Sequence, residues 1–65
     1  MEVIYKVERY RKMSGLSQRG LALKANVAKS TIADIESAKV HPTVPTICKL
    51  AEALKVDARE LFEYF

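Results

Sequence analysis

Two apolar runs at helical spacing meet almost without a gap in the middle of this chain. Leu21, Ala22 and Ala25 form the first and Ile32 and Ile35 the second, with only Asn26-Val27-Ala28 between them. Apolar positions three and four apart lie on one side of a helix, so each run calls for a helix with a buried face. Two helices joined by so few residues must cross closely. A close crossing needs a small side chain at the contact, which Ala22 provides. It also needs a turn residue that tolerates positive φ, which Asn26 provides. The same spacing leaves Lys29, Ser30, Ala33, Asp34 and Ser37 together on the opposite face, turned away from any core.

The flanks continue the helical pattern. Val3, Val7 and Tyr10, with Ile4 beside them, predict a first helix over about Glu2 to Met13, ended by Ser14-Gly15. Ser17 is the N-cap of the second helix. Gly20 in its first turn is a mild liability, costing up to about 1 kcal/mol relative to Ala. The third helix is expected over about 28–37. His41-Pro42 breaks the pattern, because proline disfavours helical geometry in the residue before it. Thr43 then caps a fourth helix whose inner stripe is Ile47, Leu50, Ala51 and Leu54, with Pro45 tolerated in its first turn. Asp57 and Glu60 have capping-box spacing for a last helix over about Asp57 to Tyr64. The expectation is one all-α domain over residues 1–65, built of five short helices.

At 65 residues, a chain buries only about 60% of the surface it exposes when unfolded. Its stability margin is thin, and a partner subunit would add to it. The single cysteine, Cys48, excludes an internal disulfide and any cysteine-based metal site. An unpaired thiol fits a reducing, cytoplasmic setting. Eleven Lys and Arg against eight Asp and Glu give a net charge of +3, which permits a polyanionic partner without demanding one. No apolar run approaches the roughly 18 residues needed to span a bilayer, so no membrane partner is expected. One His, one Cys and no acid pair beside a plausible base leave catalysis without support, and no cofactor site is evident.

Arg11, the corner Gly15-Leu16-Ser17-Gln18, the stretch "LSQRGLALKANVAKSTIADIE", Pro42 and the stretch "ICKLAEALKVDARELF" occur in one order and spacing. In that order they resemble the helix-turn-helix family of phage repressors, Cro proteins and Xre-type regulators, over nearly the whole chain. The resemblance implies a five-helix, lambda-repressor-like domain with its helix-turn-helix at about 17–37. It implies binding of double-stranded operator DNA, usually as a dimer, with the third helix in the major groove. Carried over by position, Lys29, Ser30, Ala33 and Asp34 would read bases. Lysine suits guanine acceptors, Asp can accept from cytosine N4, and Ala can touch a thymine methyl. Gln18, Arg19, Thr31, Ser37, Lys39 and His41 would contact the phosphate backbone. Arg11 and Glu36 match a partly buried ion pair that fastens the first helix to the third.

The chain departs from the family pattern at three places. Ala28 stands where a Ser or Thr caps the recognition helix, Arg19-Gly20 replaces the usual acidic or Ala residues, and Ser37-Ala38 replaces an Asn-Gly exit. The tail "ELFEYF" carries Leu61, Phe62, Tyr64 and Phe65, more apolar surface than one short helix can turn inward. The surplus suggests a homodimer face. Cys48 is expected as a small packing residue beside the fourth helix's buried stripe. A rival use of the same fold is an antitoxin-like or anti-regulator module whose partner is a protein. In that case the apolar tail would matter more than Lys29 and Ser30.

Overall fold

A computed structural model describes residues 1–65. The chain order is β1 (Val3–Tyr5), α1 (Val7–Met13), α2 (Gln18–Ala25), α3 (Lys29–Glu36), α4 (Val44–Leu54), a single 3₁₀ turn (Ala58–Leu61) and β2 (Phe62–Tyr64). There are four α-helices and one two-stranded antiparallel sheet, where sequence periodicity predicts five helices and no strand. Both differences lie at the ends of the chain, and each explains the other.

Val3-Ile4-Tyr5 and Phe62-Glu63-Tyr64 are rich in β-branched and aromatic residues, which lose side-chain freedom in a helix and pack well on a pleated strand. Each segment is the other's partner, in the register Val3 to Tyr64, Ile4 to Glu63 and Tyr5 to Phe62. Glu2 and Phe65 exchange both backbone hydrogen bonds, at 3.1 and 2.9 Å, and the Lys6 N–H donates to the Leu61 carbonyl at 2.7 Å. The first helix therefore starts at Val7 rather than near Glu2. The Asp57–Glu60 capping box is present but opens only the 3₁₀ turn, because β2 claims the residues after Leu61.

The other helix boundaries follow local chemistry. The Ser17 hydroxyl accepts from the Gly20 N–H at 2.9 Å and starts α2. A Cβ at residue 20 would lie 3.2 Å from that hydroxyl oxygen, so glycine keeps the cap uncrowded. Asn26 ends α2 in the left-handed conformation, φ 57° and ψ 48°. There the Val27 N–H reaches back to the Ala22 carbonyl at 3.0 Å, the closure expected of a left-handed helix exit. Thr43 caps α4 by accepting from the Thr46 N–H at 3.3 Å. Lys55 ends α4 at φ 59°, a left-handed exit without glycine that the sequence did not signal.

α2 packs against both α3 and α4, and the 3₁₀ turn closes over α4. The core joins Val7, Leu21, Ala22, Ala25, Ile32, Ile35, Leu50, Ala51, Ala53, Leu54 and Leu61. Leu61 is fully buried, so it belongs to the monomer core and drops out of the apolar surface expected of the tail. Phe62 is half-buried, and Tyr64 and Phe65 are exposed. Cys48 is also exposed, against the expectation that it packs inside. It lies one position past the inner stripe of α4, on the side the core does not cover. No helix is long and apolar enough to cross a membrane.

Candidate nucleic-acid interface

The position of α3 is fixed from below. Ile32 and Ile35 are buried at 0% and 2% exposure, which clamps one side of the helix onto the core. At about 100° per residue, Lys29, Ser30, Ala33, Asp34 and Ser37 fall on the side opposite those isoleucines. Lys29, Ser30 and Ser37 are exposed, while Thr31, Ala33 and Asp34 are half-buried. The segment predicted to be a projecting helix is therefore helical and faces solvent. It runs Lys29–Glu36, one residue shorter at each end than predicted. Ala28 holds N-cap geometry, φ −71° and ψ 144°, but has no side-chain hydrogen bond to offer.

The far end of α3 is fastened by a charged cluster. Arg11 Nε donates to Glu36 Oε2 at 2.7 Å, and Arg11 Nη2 donates to Glu36 Oε1 at 3.0 Å. This is a bidentate pair between α1 and the last turn of α3. Arg11 Nη1 also donates to the Leu16 carbonyl at 2.8 Å, and Gln18 Nε2 donates to Glu36 Oε1 at 3.0 Å. The side chains of Arg11 and Glu36 are only 10% and 4% exposed, and no buried side-chain polar atom in the chain lacks a partner. Hydrogen bonding to Glu36 raises the Arg11 pKa above its ordinary value, outweighing burial. Burial works against the charged form of Glu36, yet hydrogen bonds from Arg11 and Gln18 overcome it and the Glu36 pKa falls. The cluster ties α1, the start of α2 and the end of α3 into one unit, so the outward face of α3 is presented on a rigid base.

Of the residues expected near phosphates, Thr31 is half-buried and the other five divide into two groups. Arg19 and Lys39 are exposed and, like Lys29, form no ion pair within the chain. Their donors are free for an external anion. Gln18, Ser37 and His41 are already engaged. The Gln18 amide gives one hydrogen to Glu36 and keeps its second. The Ser37 hydroxyl donates to the Asp34 carbonyl at 3.3 Å. His41 Nδ1 is 2.9 Å from the Tyr5 hydroxyl, the two rings meeting edge-to-face with centroids 5.7 Å apart. That contact fastens the loop after α3 to the hairpin, and no local pattern signals it because its partners are 36 positions apart. No group of acidic, Cys and His side chains is arranged to hold a metal ion.

Two short helices, a left-handed Asn at their junction, an outward second helix and a buried Arg–Glu fastening form a specific combination. The helix-turn-helix family model matches residues 7–61 of this chain, spanning all four helices and the 3₁₀ turn. The chain belongs to the helix-turn-helix family. It is a DNA-binding protein of the Xre type, and the relatives agree. An uncharacterized HTH-type transcriptional regulator of Methanocaldococcus jannaschii is 34% identical over 59 residues, covering 91% of this chain and 89% of that protein. The restriction-modification controller protein C.AhdI of Aeromonas hydrophila superposes with a TM-score of 0.82 at 31% identity, covering 85% of this chain and 83% of that one. A solved chain from Bacteroides fragilis superposes with a TM-score of 0.85 at 26% identity, covering 95% of this chain and all of its own. In this helix-turn-helix protein, α2 and α3 are the helix pair joined through the left-handed Asn26.

Proposed function

We propose that this protein is a cytoplasmic transcriptional regulator, acting as a repressor, that binds operator DNA as a homodimer. α3 of each copy enters one major groove, and the two half-sites lie about 34 Å apart, one helical turn. Lys29, Ser30, Ala33 and Asp34 read base edges. Lys29 donates to guanine acceptors and Asp34 accepts from cytosine N4. Arg19, Thr31, Lys39 and the free amide hydrogen of Gln18 hold phosphates on either side, aided by Ser37 and His41 where their present hydrogen bonds allow. Phe62, Tyr64 and Phe65 supply the face between copies.

The observation that carries this is the solvent-facing side of α3, rigidly held and free of internal ion pairs, in a chain of this family. The logarithm of electrostatic affinity falls linearly with the logarithm of salt concentration, with a slope of about 0.9 per phosphate neutralised. Gel-shift titrations of the gene's own upstream fragments at two salt concentrations test the proposal. Retardation is expected to be specific, to weaken with salt, and to be lost in Lys29→Ala/Ser30→Ala. Equal retardation of all fragments by wild type and double variant would contradict it.

A second reading has one observation in its favour. Tyr64 and Phe65 are 69% and 67% exposed, an apolar surface a protein partner of the antitoxin-like or anti-regulator kind could cover. It requires Tyr64→Ala/Phe65→Ala, and not Lys29→Ala/Ser30→Ala, to lose function.

A further inference from the structure

The hairpin that replaces the expected end helices carries a hydroxyl to the loop after α3. Tyr5 pairs with Phe62 across the sheet, and the backbone bonds of Glu2 with Phe65 and of Lys6 with Leu61 hold the strand on either side of it. From that position the Tyr5 hydroxyl lies 2.9 Å from His41 Nδ1, and the tyrosine ring meets the imidazole edge-to-face. The backbone of His41 is restrained as well. Pro42 narrows the conformations open to the residue before it, and Thr43 caps α4 directly after. The imidazole borders a hollow of about 300 Å³ that it shares with Ile4 and Tyr5 of β1 and with Ile35, Glu36 and Ala38 around the end of α3. It is thus set between the hairpin and the helix end, two residues beyond the exposed Lys39. Its hydrogen bond to Tyr5 runs through Nδ1, and Nε2 takes no part in it.

We propose that Tyr5 is a positioning residue for DNA binding: its hydroxyl donates to His41 Nδ1 and leaves the imidazole proton on Nε2, turned away from the hairpin to donate to a backbone phosphate. The inference rests on the DNA-binding mode proposed above and names the group that sets one of its phosphate contacts. A phenol O–H is a strong donor but a poor acceptor, since its oxygen lone pair is drawn into the ring. A bare imidazole nitrogen is a good acceptor. The pairing in which the hydroxyl donates is therefore the favoured one, and the hydrogen bond at one ring nitrogen fixes the proton on the other. The two nitrogens face opposite sides of the ring, so the same contact aims Nε2–H away from β1. Lys39 draws an anion near by charge, and His41 gives that anion a directed hydrogen bond. A ring already held by Tyr5 loses little rotational freedom when it meets a phosphate, which lowers the entropic cost of binding. A phosphate contact carries no base information, so Tyr5 strengthens binding to any duplex without changing which one is preferred.

Long-range ¹H–¹⁵N spectra of the imidazole test this, and the chain's one histidine makes the signals unambiguous. At about pH 8.5, well above the ordinary imidazole value, free wild type is expected to show Nε2 protonated and Nδ1 bare. In Tyr5→Phe, which keeps the ring and its packing, the two signals are expected to converge as the tautomers interchange. Added duplex is expected to move the Nε2 signal of wild type. Affinities for an upstream duplex and for a scrambled duplex of equal length are then measured with Tyr5→Phe, His41→Ala and the double variant. Each single variant is expected to bind both duplexes about two- to tenfold more weakly, with the ratio between duplexes unchanged. The double variant is expected to bind no more weakly than His41→Ala. A neutral N–H releases no counterion, so the salt slope is expected to keep its wild-type value, whereas Lys39→Ala should reduce it by about 0.9. A wild-type imidazole protonated on Nδ1 or averaged between tautomers would overturn the inference. So would His41 signals unmoved by a duplex that binds, or a Tyr5→Phe effect that persists undiminished in His41→Ala, the mark of a merely structural role. Each of these results leaves the DNA-binding proposal standing. A wild type with the expected tautomer that binds neither duplex would overturn both.

Discussion

Arg11 and Glu36 fasten the fold at the residue scale. Glu36 is nearly inaccessible and accepts three hydrogen bonds. Its removal leaves Arg11 buried with its main counter-charge gone, which costs about 3 kcal/mol or more. For a domain of this size that is a large share of total stability. Glu36→Ala is expected to lower the melting temperature by more than about 10 °C, and an unchanged melt would refute the role given to the pair. The same carboxylate sets the acid limit. Its folded pKa lies below the ordinary value of 4.5, so its stabilisation is complete above that pH and is lost as pH falls towards the folded value. Asp57, held to about 2 by hydrogen bonds from Arg59, acts in the same direction but weakly, being exposed. Urea midpoints should therefore stay level near neutrality and fall below about pH 4.5, less steeply in Glu36→Ala. Ala38 presents the opposite case. It sits at φ 61°, where a Cβ costs about 1–2 kcal/mol. Glycine relieves that strain but adds unfolded-state entropy. Ala38→Gly should thus gain about 0.5–1 kcal/mol of stability in urea unfolding, and a loss would show that the strain is absent.

At the scale of elements, sequence legibility tracked how local each cause is. The boundaries of α2 and α4 could be read from Ser17, Asn26 and Thr43, because a cap or a left-handed turn acts on its own few residues. The burial of Ile32 and Ile35, and hence the outward face of α3, followed from spacing alone. The hairpin did not, because Val3–Tyr5 becomes a strand only when Phe62–Tyr64 lies alongside it, more than fifty positions away in sequence. The alternation of Phe62, Glu63 and Tyr64 was the available signal, and helical spacing around Val3 and Val7 overrode it. The contact between Tyr5 and His41 was hidden for the same reason. Spacing alone cannot place Cys48, because a residue next to an apolar stripe can fall on either side of it. One element carries a correctable defect. Ala28 has the backbone of an N-cap without the side chain, so Ala28→Ser should stabilise α3 by about 1 kcal/mol. A rise in the urea midpoint with unchanged slope would show it, and no rise would mean that the first N–H groups of α3 are satisfied by solvent at no cost.

The whole molecule divides its surface between two tasks. α3 and the flanking Arg19 and Lys39 offer free cationic and polar groups, while Val44 on α4 and Tyr64 and Phe65 at the end of the hairpin leave apolar surface exposed. The proposed homodimer would set two copies of α3 side by side, and a chain of 65 residues would then reach a site longer than one helix covers. The net charge of +3 helps encounter with DNA but cannot by itself select a sequence. We propose that selection comes from the outward side chains of α3, and that is the central claim. The most direct measurement is the affinity of wild type and of Lys29→Ala/Ser30→Ala for an upstream duplex and for a scrambled duplex of equal length, at one fixed salt concentration. Wild type is expected to prefer the upstream duplex by at least about 1,000-fold, and the double variant to lose most of that preference while keeping its weak affinity for the scrambled one. A double variant that discriminates between the two duplexes as well as wild type would contradict it.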